Sequence, residues 1–212
     1  LYHWTHLELK TAFGITETLN PTNARAIYDK GNEMIANDPK FCPRGMMEHY
    51  NVETVCTTDD PIDSLCYHKQ VAEDETMEIK MLPTWRPDKA MAIENPSAFR
   101  TYVEKLSETA EVKINNFNDF VDAIQKRHDF FASMGCKLSD HGIEEFYAEE
   151  YTDAEIASIF DKVYAGTTPT DLENRKFKSC MLYIFGVQDA ESGWTQQYHY
   201  GPIRNNNSKM FK

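Results

Sequence analysis

Two hydrophobic periods alternate along this chain. Stretches with apolar residues at every third or fourth position, the helical spacing, are separated by four short runs rich in β-branched and apolar residues, the composition of strands. The four runs span 52–58, 79–85, 136–139 and 194–199. Each runs into a polar cluster, and no two clusters are alike: Thr57-Thr58-Asp59-Asp60-Pro61, Thr84-Trp85-Arg86-Pro87-Asp88-Lys89, Ser139-Asp140-His141-Gly142 and His199-Tyr200-Gly201-Pro202-Ile203-Arg204. Parallel strands joined by crossover helices bring all their C-terminal ends to one face. The pattern therefore predicts an α/β fold, a partial (β/α)8 TIM-type barrel of about four β/α units, with the equipped strand ends gathered on the active-site face.

The first fifty residues read as helical, so the chain divides into a helical lead-in over 1–50 and the central portion of a (β/α)8 barrel over 51–212. Asn20-Pro21 predicts a cap with proline at the first helical position, and Asp38-Pro39 ends that helix. Asp60-Pro61 predicts a cap on a short helix after the first strand. Asn95-Pro96 opens a helix with Phe99, Tyr102, Val103 and Leu106 on its apolar stripe, and another helix over 118–134 ends at Gly135, where a left-handed cap is expected. Thr152 with Glu155 and Thr170 with Glu173 form two capping boxes. The run 181–185 has the composition of a buried strand, but the preceding cap and Gly186 assign it to the second of those helices. Four units leave two open parallel edges, so further strands are expected from elsewhere, or from a second copy in a homo-oligomer.

At 212 residues the chain can bury a sizeable core, yet it is shorter than the roughly 250 residues typical of a complete barrel. It starts at Leu1-Tyr2-His3-Trp4 rather than Met, and it stops after Asn205-Asn206-Asn207 without a closing element, so we expect a piece of a longer protein. No run approaches the roughly 18 apolar residues of a membrane helix, and the start lacks the regions of a signal peptide, so a membrane is not an expected partner. The 34 acidic against 22 basic residues give a net charge of −12, which argues against a nucleic-acid surface. An anionic substrate would need specific Arg or Lys residues to reverse the field locally. The 5 cysteines lack Cys-x-x-Cys spacing, which favours reduced thiols in a cytoplasm over disulfides or structural zinc.

Among the strand-end residues, Arg86 can hold a carboxylate or several hydroxyls with its fork, with Trp85 packed beneath and Pro87 fixing the turn; the alternative is a surface pair with Asp88. Asp140-His141 can serve as base and acid or as metal ligands, unless Asp140 only caps a following helix. His199 closes an alternating strand with Arg204 five residues on, and Arg204-Asn205-Asn206-Asn207 can bind a polyhydroxylated substrate or simply form a loop. Asp59 and Asp60 fit a turn and a cap, and His49, His68 and His128 fit structural or exposed positions. The chain holds no Gly-rich phosphate loop, His-Glu-x-x-His, Gly-x-Ser-x-Gly or His-x-His, so kinase, zincin and α/β-hydrolase readings have no support.

Those residues lie in blocks that resemble the uronate (glucuronate) isomerase family. The blocks are Cys56-Thr57-Thr58-Asp59-Asp60-Pro61-Ile62-Asp63, Leu82-Pro83-Thr84-Trp85-Arg86-Pro87-Asp88-Lys89-Ala90 and Arg127-His128-Asp129-Phe130-Phe131-Ala132. They continue through Leu138-Ser139-Asp140-His141-Gly142, Gly193-Trp194-Thr195-Gln196-Gln197, His199 and Arg204-Asn205-Asn206-Asn207. The resemblance implies an amidohydrolase-like barrel that interconverts D-glucuronate with D-fructuronate, and D-galacturonate with D-tagaturonate, through an enediol. It implies Asp140 and His199 as catalytic residues and Arg86, Arg204 and Trp85 as substrate-binding residues. It also implies a divalent metal, zinc, in the complete enzyme, whose ligands lie outside this sequence, so that the 212 residues alone are expected to be inactive. Two alternatives stay open: a metal-dependent hydrolase on the same barrel, and a non-catalytic half barrel that binds sugar acids. Proton exchange at C2 in heavy water separates the isomerase from both.

Overall fold

The computed structural model describes residues 1–201 and 207–210. By its internal contacts the chain divides into two units, Leu1–Thr54 and the residues from Val55 onward.

The first unit is helical: α1 (Tyr2–Phe13), α2 (Ala24–Asn37) and α3 (Pro43–His49), with a 3-10 turn at Pro39–Phe41. α2 begins later than the sequence predicts. Asn20 accepts hydrogen bonds from the Thr22 and Asn23 amides, so Asn20-Pro21 forms a turn and Asn23 becomes the residue before the helix. α2 does end at Asp38-Pro39, where the Asp38 side chain caps the 3-10 turn. α3 packs closely over that turn, and a side chain at Gly45 would meet the Pro39 carbonyl at 2.3 Å, so only glycine fits there.

The second unit is α/β. Its strands are β1 (Thr54–Cys56), β2 (Lys80–Leu82), β3 (Leu138–Ile143) and β4 (Thr195–Tyr200). Its helices are α4 (Cys66–Glu73), α5 (Pro96–Ala110), α6 (Phe117–Ser133), α7 (Asp153–Tyr164) and α8 (Asp171–Glu191). β1 pairs with β2, and β3 pairs with β4 in parallel, Asp140 opposite Gln197 and Gly142 opposite His199. Single parallel bridges at Asp59–Trp85 and Trp85–Ser139 join the two pairs. The strands therefore run side by side in the order of the sequence, with α5 and α6 between β2 and β3 and α7 and α8 between β3 and β4.

The expected caps hold for the long helices. Asn95 accepts from the Ala98 amide, and both capping boxes form, at Thr152 with Glu155 and at Thr170 with Glu173. Residues 181–185 lie within α8, and Gly135 adopts φ +89° after α6. These helices bury a phenylalanine cluster in which Phe99 meets Phe120, Phe160 and Phe177 edge to face at 5.8–6.0 Å. Edge-to-face packing adds about 0.5–1.5 kcal/mol per pair to the burial of each ring.

Two further expectations are corrected. Asp60-Pro61 caps no helix: Asp60 Oδ1 takes the Ile62 amide in a tight turn, and α4 starts only at Cys66. β3 is also longer than the run 136–139, because pairing with β4 carries the strand on through Asp140, His141 and Gly142.

Candidate active site

The backbone of Trp85 fixes the site. Its amide donates to the Leu138 carbonyl at 3.2 Å, and its carbonyl accepts from the Asp140 amide at 2.8 Å. On the other side the Arg86 amide donates to the Asp59 carbonyl at 2.9 Å. Arg86 therefore leaves the end of the β2 segment directly beside Asp140 on β3. The indole of Trp85 points the other way, with no exposed surface, against His128 and Phe131. Trp85 is thus a core residue that holds three strands together, and a direct contact of its indole with substrate is not what the structure offers.

On the Arg86 face, Arg86 Nη1 stands 3.4 Å from Asp140 Oδ2, and Arg86 Nε donates to Asp88 Oδ2 at 3.0 Å. The hydrogen bond from Arg86 to Asp88 raises the Arg86 pKa above its ordinary value. His199 Nε2 lies 2.7 Å from Asp140 Oδ1, a close contact without hydrogen-bond alignment, so that this buried oxygen has no hydrogen bond among the described residues. Strands present alternate side chains to opposite faces. Asp140 and His199 share one face because Asp140 opposes Gln197 and His199 lies two residues further along β4. The structure therefore brings together Arg86, Asp140 and His199. Arg204 lies outside the described residues.

The same alternation separates Asp140 from His141, so the two do not act as an acid–base pair. His141 is fully buried between Phe185 and Tyr198, with Nε2 3.1 Å from Ser139 Oγ. Ser139 donates to Asp189 at 2.6 Å, and this fully buried carboxylate also meets His128 Nε2 at 3.2 Å and Gln196 Nε2 at 3.0 Å. His128 is accordingly structural, stacked on Trp194 with ring centres 3.9 Å apart. Asp59 is structural as well: its carboxylate accepts from Thr57 Oγ1 at 2.6 Å and from the Thr84 amide at 3.2 Å. Thr57 Oγ1 also lies 2.7 Å from the buried ring of His68. Lys89 reaches Asp60 at 3.1 Å from an exposed position.

Sequence reasoning named Asp88 only as a surface partner for Arg86, a pair that the structure does form, and did not single out Ser139 or Asp189. Asp88 had a signal in its spacing, two residues after Arg86 across a proline. Asp189 had none, since its partners are far away in the chain. As for a metal, no group of three or more His, Cys, Asp or Glu side chains converges among the described residues. Asp140 and His199 supply two such groups at most, so the described residues do not make a metal site on their own.

A guanidinium, a carboxylate and an imidazole at adjacent C-terminal ends of a parallel sheet define an α/β protein with its polar site where such sheets take ligands. The family model for glucuronate isomerase matches residues 1–212, and the chain belongs to that family. It is 66% identical to the uronate isomerase of Phocaeicola vulgatus and 67% identical to that of Bacteroides thetaiotaomicron, in each case over its whole length. It spans 45% of the length of these relatives. The crystal structure of uronate isomerase from Thermotoga maritima superposes with a TM-score of 0.88 at 30% identity, covering 99% of this chain and 46% of that one. The glucuronate isomerase structure from Caulobacter crescentus gives 0.85 at 26% identity, covering 97% of this chain and 42% of that one.

Proposed function

We propose that this chain serves in a cytoplasmic uronate isomerase, as part of a (β/α)8 barrel, converting D-glucuronate to D-fructuronate and D-galacturonate to D-tagaturonate. The observation that carries this reading is Asp140: a buried carboxylate with Arg86 Nη1 3.4 Å from one oxygen and His199 Nε2 2.7 Å from the other. The family membership supports it. In the reaction a base takes the C2 proton, C1 and C2 become an enediol, and a proton returned to C1 leaves the carbonyl at C2. Abstracting a proton next to a carbonyl needs a positioned base and donors for the enediolate oxygens. Asp140 and His199 are the groups for proton transfer or for orienting the hydroxyls, and Arg86 is the donor. Lys89 and Arg204 are the further cations that offset a net −12 when the anionic sugar acid binds.

The test is turnover of D-glucuronate followed by NMR. Ketose is expected from the complete protein of which this chain is a part, and Asp140→Asn in it should lower kcat about 10²-fold or more without shifting the thermal midpoint. Undiminished turnover in that variant would remove Asp140 from the chemistry.

A further inference from the structure

Arg86 is held by a carboxylate for which the chemistry above has no use. Oδ2 of Asp88 accepts both from Arg86 Nε and from the Gly142 amide, each at 3.0 Å, so one oxygen ties the end of the β2 segment to β3. Its other oxygen, Oδ1, has no hydrogen bond among the described residues and stands 3.8 Å from Nδ1 of His141. That ring cannot swing away, since it lies between Phe185 and Tyr198 and is held at Nε2 by Ser139. Pro87, between Arg86 and Asp88, fixes its own φ and stiffens the turn from which both side chains leave.

This arrangement decides which donors Arg86 has left. Nε is occupied by Asp88, Nη1 lies near Asp140, and Nη2 has no partner among the described residues. A guanidinium pinned at Nε offers only its Nη end, and that end is beside Asp140, whose other oxygen faces His199. Burial pushes the Asp88 carboxyl up, but His141, the Gly142 amide and Arg86 outweigh it and hold the group below the ordinary carboxylate range. Asp88 is therefore a charged acceptor at neutral pH, and such bonds are roughly twice as strong as neutral ones.

We propose that Asp88 is a positioning residue for Arg86: anchored on Gly142 and bound to Nε, it sets the orientation in which the guanidinium presents Nη2 to a substrate oxygen next to Asp140. The inference rests on Arg86 as a substrate-binding residue, and its test separates the two. In the complete protein, Asp88→Ala should raise KM for D-glucuronate about tenfold or more, the loss expected for one charge-assisted hydrogen bond, with a smaller change in kcat. Because Asp88 acts through Arg86, the double variant Arg86→Ala/Asp88→Ala should be no worse than Arg86→Ala alone. Additive losses, or an unchanged KM in Asp88→Ala, would overturn the proposal.

A second readout needs no turnover. The Arg86 Nε–H resonance, recognised by its absence in Arg86→Lys, should exchange slowly with solvent in the unaltered protein and rapidly in Asp88→Ala. If the alanine variant does not fold, Asp88→Asn decides, because a neutral acceptor should speed that exchange about threefold or more. Equal exchange in the variant and the unaltered protein overturns the proposal. If the complete protein shows no isomerase activity, the functional reading fails and the exchange measurement alone decides for or against Asp88.

Discussion

Asp189 has no exposed surface, yet three strands and helices meet at its carboxylate: Ser139 from β3, Gln196 from β4 and His128 from α6. Burying a charge is costly unless donors surround it, and removing the acceptor leaves those donors unsatisfied. Asp189→Ala is therefore expected to cost about 3–5 kcal/mol in urea unfolding, and a loss below about 1 kcal/mol would contradict this role. Asp88 carries a pH signature. Its carboxyl titrates below its ordinary 3.8 in the folded protein, so its contribution to stability is complete above that value. The contribution disappears as pH falls through the lower, folded value. Acidification should thus reduce the stability of the unaltered protein more than that of Asp88→Asn, measured as unfolding midpoints from pH 6 down to about 2. Parallel curves would contradict the assignment. Arg86, Asp140 and His199 were legible as candidates because each stands at a strand end, and the structure brings the three side chains together. The supports were not legible: Asp88 and Gly142 are 54 residues apart and Ser139 and Asp189 are 50 apart, and no local pattern joins them.

At the scale of elements, the helices were legible because their ends carry their own chemistry. Thr170 and Glu173 satisfy each other's amides at the start of α8, and Lys162 of α7 holds the same Glu173 at 2.7 Å. The Thr170 amide and Lys162 lower the Glu173 pKa to about 2, the Lys162 hydrogen bond being the larger cause. Thr170→Ala should cost about 1 kcal/mol in thermal or urea unfolding, the ordinary value of such a cap. No measurable loss would mean that α8 is held by its buried face alone. The strands were less legible, because their limits depend on partners. β3 runs past its apolar residues since β4 supplies a ladder through Tyr200, and the β2 segment reaches Trp85 only through bridges on both sides. The turn at Asp60 shows the same limit from the other direction: an Asp-Pro pair is as good a turn as a cap, and α4 starts five residues after Pro61 behind Leu65 in a left-handed conformation.

At the scale of the whole molecule, the strand order places Arg86, Asp140 and His199 on consecutive strands, so a single ligand can touch all three. Four helices, α5 to α8, meet in the phenylalanine cluster, and Phe120→Ala should cost about 3–5 kcal/mol without altering which groups meet at the strand ends. The chain spans 45% of the length of its uronate isomerase relatives, and among the described residues no three metal-ligating side chains converge. The account rests on proton chemistry at the strand ends, with Asp140 between Arg86 and His199. The measurement that tests it most directly is deuterium incorporation into D-glucuronate by the complete protein in heavy water. The account predicts deuterium at C2 of the recovered aldose together with formation of the ketose, both suppressed in Asp140→Asn. Unlabelled sugar acid after binding has been demonstrated would contradict it, and would leave a binding protein or a hydrolase in its place.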